Sequence, residues 1–271
     1  MTPPFDDPDL LDALGTLASE AGARIMAHYG GAATLKGDGS PVTAADHAAE
    51  EVILAGLGRL LPGVPVLAEE AAAAGHWPET TDFLIAVDPL DGTREFVNQN
   101  GEFTVNIGLI ANGRPVAGVV GAPALSRLWI GAGHRAEAMT LAPGVAIARA
   151  RDRRPIMTRP LPASGPVALV SRSHPDAASE AYYLERGIAA RRPVGSSLKY
   201  TLIAEGEADV SVRFASITEW DIAAAHAVLA AAGGCMTQPD GSPLVYGRAD
   251  RRFRTDHFIA CSGAFAASGR R

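Results

Sequence analysis

The sequence predicts an α/β protein of the α+β sandwich kind, on three observations. Helical periodicity dominates the first 60 residues and marks two helices. Between residues 83 and 130 several apolar runs are linked by turn signals, which suits a mostly antiparallel N-terminal sheet. Beyond residue 166 strand-like and helix-like segments alternate, which suits a C-terminal α/β layer. With 271 residues, the chain can build one large domain or two smaller ones, each with its own core.

Leu10, Leu14, Leu17, Ala21 and Ile25 recur at helical spacing, with Asp9 as the expected cap and Gly30-Gly31 as the stop. A Gly-rich loop, Lys36-Gly37-Asp38-Gly39-Ser40-Pro41, follows. Thr43 then opens a second helix carrying Val52, Ile53, Leu57 and Leu60, and Thr43 and Asp46 have capping-box spacing, with Asp in place of the usual Glu. Residues 64–67 read as a short strand that delivers Glu69 and Glu70. Residues 83–87 read as a buried strand. Residues 103–110 reach Asn112-Gly113, a hairpin signal, and 116–120 and 128–130 read as the returning strands. The segment 151–166 is rich in Arg and Pro and lacks clear periodicity, so the expected domains are 1–155 and 156–271. In the second, strands are expected at 167–170, around Val194 and at 208–214. Helices are expected at 176–186, 198–205 and 221–232.

Composition excludes several classes. The formal net charge of −6 argues against a general nucleic-acid binder, which needs Lys and Arg to neutralise phosphates. The acidic N-terminus lacks the basic and apolar regions of a signal peptide, and no apolar run is long enough for a transmembrane segment. Cys235 and Cys261 are too few for a disulfide framework or zinc cluster, and read as small buried residues of a reduced, cytoplasmic protein. Gly131-Ala132-Gly133 does not complete a dinucleotide fingerprint.

The chemistry concentrates in Asp88-Pro89-Leu90-Asp91-Gly92-Thr93, where a buried strand is expected to give way to a turn. Two carboxylates this close repel unless protons or metal ions neutralise them. Gly92 and Thr93 add backbone N–H groups and a hydroxyl, the donors a phosphate needs if a helix starts there. Glu69 and Asp221 extend the set, each at a strand end or helix start. Asp221 also suits the N-terminus of the Ala-rich segment that follows Trp220. Carboxylates without His or Cys select a hard cation, Mg²⁺ or Mn²⁺, over zinc. Four of them would need two or three ions, and a pair roughly 3.5–4 Å apart can clamp both oxygens of a phosphoryl transfer.

Asp88 to Phe96 (DPLDGTREF) and Trp220-Asp221-Ile222-Ala223-Ala224 resemble the two motifs of the inositol monophosphatase superfamily of metal-dependent, lithium-sensitive phosphatases. Within it, Ser40-Pro41-Val42-Thr43-Ala44-Ala45-Asp46 and Asn100 to Ile107 (NGEFTVNI) are most similar to the CysQ-type 3′(2′),5′-bisphosphate nucleotidases. So are Ser171-Arg172-Ser173-His174 and Gly195-Ser196-Ser197-Leu198-Lys199. The similarity runs from about residue 8 to 262. It implies a layered αβαβα fold. It implies one Mg²⁺ on Glu69, Asp88 and the Leu90 carbonyl, a second on Asp88, Asp91 and Asp221, and a third, weaker ion near Asp46 and Glu69. Thr93, paired with Asp46, would orient and deprotonate the attacking water. Gly92, Thr93 and Arg94 would surround the scissile phosphate, with Asp221 beside the substrate. His174, Ser196, Lys199 and Arg213 would hold the nucleotide and its second phosphate. One departure stands out. The group carries Gly-Pro-Thr after Arg-Phe, and here Ala215-Ser216-Ile217 follows Arg213-Phe214, a loop that bears on the base or sugar pocket.

The implied reaction is in-line hydrolysis of adenosine 3′,5′-bisphosphate to AMP and phosphate by a metal-activated water, with no phosphoenzyme. Phosphoadenosine phosphosulfate is a second candidate substrate, which would place the chain in sulfur metabolism. The implied partner is this small nucleotide, with no nucleic acid, the chain being a monomer or homodimer. The resemblance also allows a peripheral place at the cytoplasmic face of the inner membrane. The nearest alternative is a phosphatase of the same superfamily acting on inositol, sugar or histidinol phosphate. A non-enzymatic metal- and phosphate-binding relative would have to lack a catalytic group, and all are present. Ser196-x-x-Lys199 fits a serine acyl-enzyme pattern, but its companion Ser-Asp-Asn and Lys-Thr-Gly elements are absent.

Overall fold

The structure, a computed structural model, describes Phe5 and residues 7–31, 33–35, 41–79 and 81–269. The Gly-rich run 36–40, with Ser40 of the resemblance, lies outside the described residues.

The first helix, α1 (Pro8–Ala27), is capped by Asp7, whose side chain accepts the Asp9 N–H; Asp9 itself sits in the first turn. The expected cap was therefore displaced by two residues. Pro8 takes the first helical position, where its missing N–H costs nothing. After β1 (Ala33–Leu35) and β2 (Pro41–Thr43), α2 (Ala44–Leu60) begins with the full Thr43–Asp46 capping box. β3 (Val66–Ala68) runs directly into the short helix α3 (Glu69–Ala73).

β4 (Phe83–Asp91) continues past the expected end at Val87 and carries the aspartate pair inside the strand. The short helix α4 (Thr93–Val97) starts immediately after Gly92. β5 (Thr104–Ala111) and β6 (Arg114–Ala122) form the hairpin at Asn112-Gly113, and β7 (Arg127–Ala132), β8 (Arg135–Thr140) and β9 (Arg151–Pro155) continue the meander. The seven strands β3 to β9 lie in sequence order; β3 and β4 are parallel and every later pair is antiparallel.

The second sheet contains β10 (Val167–Ser171), β11 (Ala190–Val194), β12 (Val210–Arg213), β14 (Cys235–Thr237) and β16 (Phe258–Cys261), in the order β11-β10-β12-β16-β14. The β10 pairs are parallel and the β16 pairs antiparallel. Its helices are α5 (Ala177–Glu185), α6 (Leu198–Ala204), α7 (Ala223–Ala231) and α8 (Gly263–Ala267). A two-stranded ribbon joins β13 (Ile217–Thr218) to β15 (Arg254–Thr255). Cys235 and Cys261 face each other across β14 and β16 with sulfurs 3.5 Å apart, Cys261 buried and Cys235 partly so.

Alternation of side chains across the strands sorts the core into layers. One face of the seven-stranded sheet, with Val87, Val105, Ile107 and Ile130, buries Leu14 and Leu17 of α1 and Ile53 and Leu57 of α2. Its other face, with Ala86, Val120 and Trp129, buries α6 and α7, which also meet Leu169, Met236 and Phe258 of the second sheet. Tyr182 and Tyr183 of α5 and Phe265 of α8 cover that sheet's outer face. The result is the αβαβα sandwich that the resemblance implied.

A row of three paired glycines seats α7. Gly108, Gly118 and Gly131 face one another across β5, β6 and β7. A Cβ on Gly118 would lie 2.2 Å from the Ala224 carbonyl oxygen, and one on Gly131 2.6 Å from Val228 Cα. The helix backbone therefore rests directly on the sheet, and the 3₁₀ turn Glu219–Asp221 that precedes it brings Asp221 to the end of β4. Among the described residues no helix is long and apolar enough to cross a membrane.

Candidate active site

Residues 88 and 91 would point to opposite faces of a regular strand, because side chains alternate. Here Asp88 pairs with Asn106 and Asp91 with Thr104, so two residues on β4, Pro89 and Leu90, oppose one on β5, Val105. The extra residue is a β-bulge at Pro89-Leu90, where proline has no N–H to contribute to the ladder. The bulge restores a common face, and both aspartates line one cleft of about 590 Å³. The Leu90 N–H donates to Asp88 Oδ1 at 2.9 Å and fixes that carboxylate.

Oxygens of Glu69, Asp88 and Asp221 all lie within 4.8 Å of one another. Each is held from a different element: Glu69 at the first position of α3, Asp88 in β4 and Asp221 in the turn before α7. Thr218 donates its backbone N–H and hydroxyl to Asp221 Oδ2, at 3.1 and 2.7 Å. Burial, then the charges of Glu69, Asp91 and Asp221, push the Asp88 carboxyl well above its ordinary value, and Asp88 and Asp221 share a hydrogen bond. Burial also raises Asp221. Asp91 stands outside this trio: its carboxylate accepts the Ser197 N–H and the Thr104 hydroxyl. Burial and the charge of Asp221 push Asp91 up to about 7, against the pull of Lys199. Carboxylates crowded until they would rather hold protons, with oxygen donors only, are the environment a hard divalent cation relieves.

Asp46 lies beneath this wall, 1 % exposed. Its Oδ2 accepts from the Thr43 N–H and hydroxyl, at 2.7 and 2.8 Å, and its Oδ1 faces the Thr93 hydroxyl at 3.4 Å. The Thr93 hydroxyl is also 3.4 Å from the Leu90 carbonyl. Gly92 adopts φ +91°, and a Cβ there would press on Ser196, the Glu102 carbonyl and Glu95. Glycine thus allows both the left-handed turn out of β4 and the close approach of the Gly195-Ser196 loop.

The opposite wall is cationic. Lys199 is buried, its Nζ donating to the Ser196 carbonyl at 2.5 Å. Burial and Arg213 lower it to about 8, although Asp91 opposes the shift. His174, at the rim, is pushed down to about 4 by desolvation and by the charges of Arg94, Arg213 and Lys199 around it. Arg94 donates to the Ser173 carbonyl at 3.3 Å, and the Ser173 hydroxyl donates to Glu95. The buried Nε of Arg213 has no hydrogen-bond partner among the described residues. Glu102 accepts from Arg172 and from the Gly195 N–H, which fixes the loop before Lys199.

The structure thus brings Glu69, Asp88, Leu90, Asp91, Gly92, Thr93, Arg94, His174, Ser196, Lys199, Arg213 and Asp221 to one cleft, with Asp46 directly behind it. Sequence reasoning missed Trp77, Arg252 and Arg254, which line the same cleft, and Glu50, which accepts the N–H groups of Glu70 and Ala71 in the helix that Glu69 begins. Glu50 lies one helical turn beyond Asp46, a spacing that places both on one face of α2. Trp77 lies in an irregular segment, Arg252 ends a single 3₁₀ turn and Arg254 opens the two-residue strand β15, all too short for a periodic signal.

Comparison with known proteins agrees with this geometry. The sequence profile of the inositol monophosphatase family matches residues 7–260. The 3′(2′),5′-bisphosphate nucleotidase CysQ of Escherichia coli strain K12 is 42 % identical over 241 residues, 88 % of this chain and 94 % of that protein. The crystal structure of CysQ from Bacteroides thetaiotaomicron, a bacterial member of the inositol monophosphatase family, superposes with a TM-score of 0.74 at 35 % identity, covering 94 % of this chain and 97 % of that one. An inositol monophosphatase from Anabaena sp. PCC 7120 gives 0.73 at 28 % identity, covering 96 % and 93 %. Profile, sequence and fold converge along nearly the whole length, and the acidic cluster supplies what a metal-dependent phosphatase needs: this chain belongs to the inositol monophosphatase family.

Proposed function

We propose that this chain is a Mg²⁺-dependent phosphomonoesterase that removes the 3′-phosphate of adenosine 3′,5′-bisphosphate, releasing AMP and phosphate, and that also takes phosphoadenosine phosphosulfate. The observation that carries the substrate class is the cationic wall of Lys199 and Arg213, with the neutral imidazole of His174 at its rim, facing the acidic trio across one cleft. A substrate with a single phosphate leaves that wall unused. The similarity to the CysQ nucleotidases supports the same class.

In this reading Glu69, Asp88 and the Leu90 carbonyl hold one divalent ion, and Asp88, Asp91 and Asp221 a second. Asp46 and Glu69 lie near a third, and Mn²⁺ is a substitute. Bound cations supply Lewis-acid activation of water and neutralise charge on the reacting oxygens. The protein supplies the rest. Thr93 passes the proton of the attacking water toward Asp46, along the Thr93–Asp46 contact. The N–H groups of Gly92 and Thr93, with Arg94, face the phosphate and stabilise the negative charge of its transition state. Lys199 and Arg213 hold the 5′-phosphate, Ser196 and His174 flank the sugar, and Asp221 lies beside the leaving oxygen. The two halves, 1–155 and 156–271, each contribute a sheet, and the cleft draws ligands from both.

A Mg²⁺-dependent phosphate-release panel tests this. Adenosine 3′,5′-bisphosphate should exceed inositol 1-phosphate, a sugar phosphate and histidinol phosphate in kcat/KM, and Li⁺ should inhibit. Faster hydrolysis of any of the three others would replace the substrate. No Mg²⁺-dependent release from any of them would leave a non-enzymatic binding protein.

A further inference from the structure

Trp77 is 45 % exposed, whereas Trp129 and Trp220 are 0 and 8 % exposed and belong to the core. An indole is a large apolar surface to leave in water. Trp77 is not a random surface residue, because it lines the cleft four residues beyond the end of α3, the helix that begins with Glu69. Its ring lies parallel to Phe253, at 2° with centroids 5.8 Å apart. Trp220, next to Asp221, is tilted against it at 6.5 Å.

The backing ring is held by a constrained strap. Arg252 and Phe253 adopt φ +52° and +53°, two successive non-glycine residues in the left-handed region. Such backbone costs energy and persists only where its surroundings impose it. Here the Phe253 carbonyl accepts the Glu219 N–H at 2.9 Å, and the Glu219 carboxylate accepts the N–H groups of Gly247 and Arg248 at 2.7 and 3.0 Å. The strap is thus tied to the residue two before Asp221. Phe253 is 1 % exposed, so the strap presents its ring to Trp77 and not to solvent. Arg252 and Arg254, on either side of Phe253, line the cleft, and neither has an acidic partner among the described residues.

We propose that the Trp77–Phe253 stack is the platform for the planar base of the substrate, with Arg252 and Arg254 at its edge, and that it makes the enzyme selective for nucleotides over base-free phosphate esters. This rests on the nucleotidase reading above. A flat ring supported on one side extends naturally to a third ring, and base–aromatic stacking needs no particular hydrogen-bonding edge. Guanidinium groups suit the rim, since they stack on π faces and attract anions.

The test uses the full chain with Mg²⁺ and two substrates, adenosine 3′,5′-bisphosphate and glycerol 2-phosphate, which has no base. Trp77→Ala should raise KM for the nucleotide about tenfold with kcat nearly unchanged, and should leave glycerol 2-phosphate hydrolysis as it was. Trp77→Phe, which keeps a ring, should recover most of the loss. Nucleotide added without divalent cation should quench tryptophan fluorescence in the wild type and not in Trp77→Phe. An unchanged KM, an equal fall on both substrates, or quenching independent of Trp77 would each overturn the platform. If the wild type fails to hydrolyse the nucleotide, the nucleotidase reading falls, while the quenching titration still decides whether Trp77 receives a base.

Discussion

Glu50 never reaches the cleft, yet it controls a residue that does. Its buried carboxylate accepts the N–H groups of Glu70 and Ala71, each at 2.8 Å, and so caps the helix that Glu69 begins. Desolvation raises its pKa in spite of these two bonds, so the position is held at a cost. Glu50→Ala strands two N–H groups, at about 1–3 kcal/mol for each one left buried and unsatisfied, and frees the first turn of α3. The Mg²⁺ concentration for half-maximal activity should rise about tenfold, the size expected when the support of a metal ligand is lost. KM at saturating Mg²⁺ should stay nearly constant, and Glu50→Gln, which keeps one acceptor, should fall between. A Mg²⁺ activation curve that does not move, whatever the melting temperature does, would make Glu50 merely structural. At this scale the sequence was most readable where chemistry constrains it most. Glu69, Asp88, Asp91 and Asp221 stand out because clustered acids at strand and helix ends need a reason. Trp77 does not, because one aromatic in an irregular segment has no pattern to break.

The glycine row under α7 shows how a packing element sets the site. Gly108, Gly118 and Gly131 let the helix backbone lie on the sheet, and the turn ahead of that helix carries Asp221. Gly118→Ala places a methyl 2.2 Å from the Ala224 carbonyl oxygen, a backbone atom that can yield only if the whole helix moves. Overpacking of this kind costs about 1–3 kcal/mol, and the helix should lift Asp221 away from Asp88. Gly58→Ala is the matched control: it lies in α2 with nothing within 4 Å of the added methyl, and should stabilise by up to about 1 kcal/mol. Thermal melts with Mg²⁺-dependent activity separate the two, and a Gly118→Ala protein with unaltered melting and activity would remove the glycine row from the account. Elements were legible where periodicity or caps are strong: α1, α2 with its Thr43–Asp46 box, the β5–β6 hairpin and α5 behind Asp176 all follow their sequence signals. β9 was not. As an edge strand of sequence RDRRP it pairs only with β8 and buries little, so it carries no apolar alternation. β16 is buried at every position, and a four-residue apolar run does not declare itself as strand or helix. The bulge in β4 was hidden because Pro89 suggests a turn, and only the pairing with β5 shows the strand continuing through it.

The whole molecule is a sandwich whose central helices sit between two sheets, and that middle layer contains a titratable group the chemistry does not use. His226 of α7 shares a 2.8 Å hydrogen bond between its Nδ1 and the Tyr246 hydroxyl, and the Tyr246 N–H donates to Gly113 at the β5–β6 hairpin. Burial alone pushes the imidazole from 6.5 down to about 4. Between those values the unfolded chain binds a proton there that the folded chain refuses, so stability rises with pH across that window. The contribution is fully present above pH 6.5 and is lost as pH falls toward 4, amounting to about 3 kcal/mol for a shift of this size. The clustered carboxylates work in the opposite sense, since their raised values favour protonated forms in the fold. The wild-type profile therefore mixes both signs, and the difference between two proteins isolates the histidine. Urea unfolding of wild type and His226→Gln, followed from pH 7.5 to pH 4 in steps of about half a unit, should diverge only below pH 6.5. The wild type should lose stability faster, because Gln keeps a polar partner for Tyr246 without a proton to gain. Parallel curves would mean that the imidazole takes up its proton inside the fold, and that the layer between the sheets is wetter than its burial indicates.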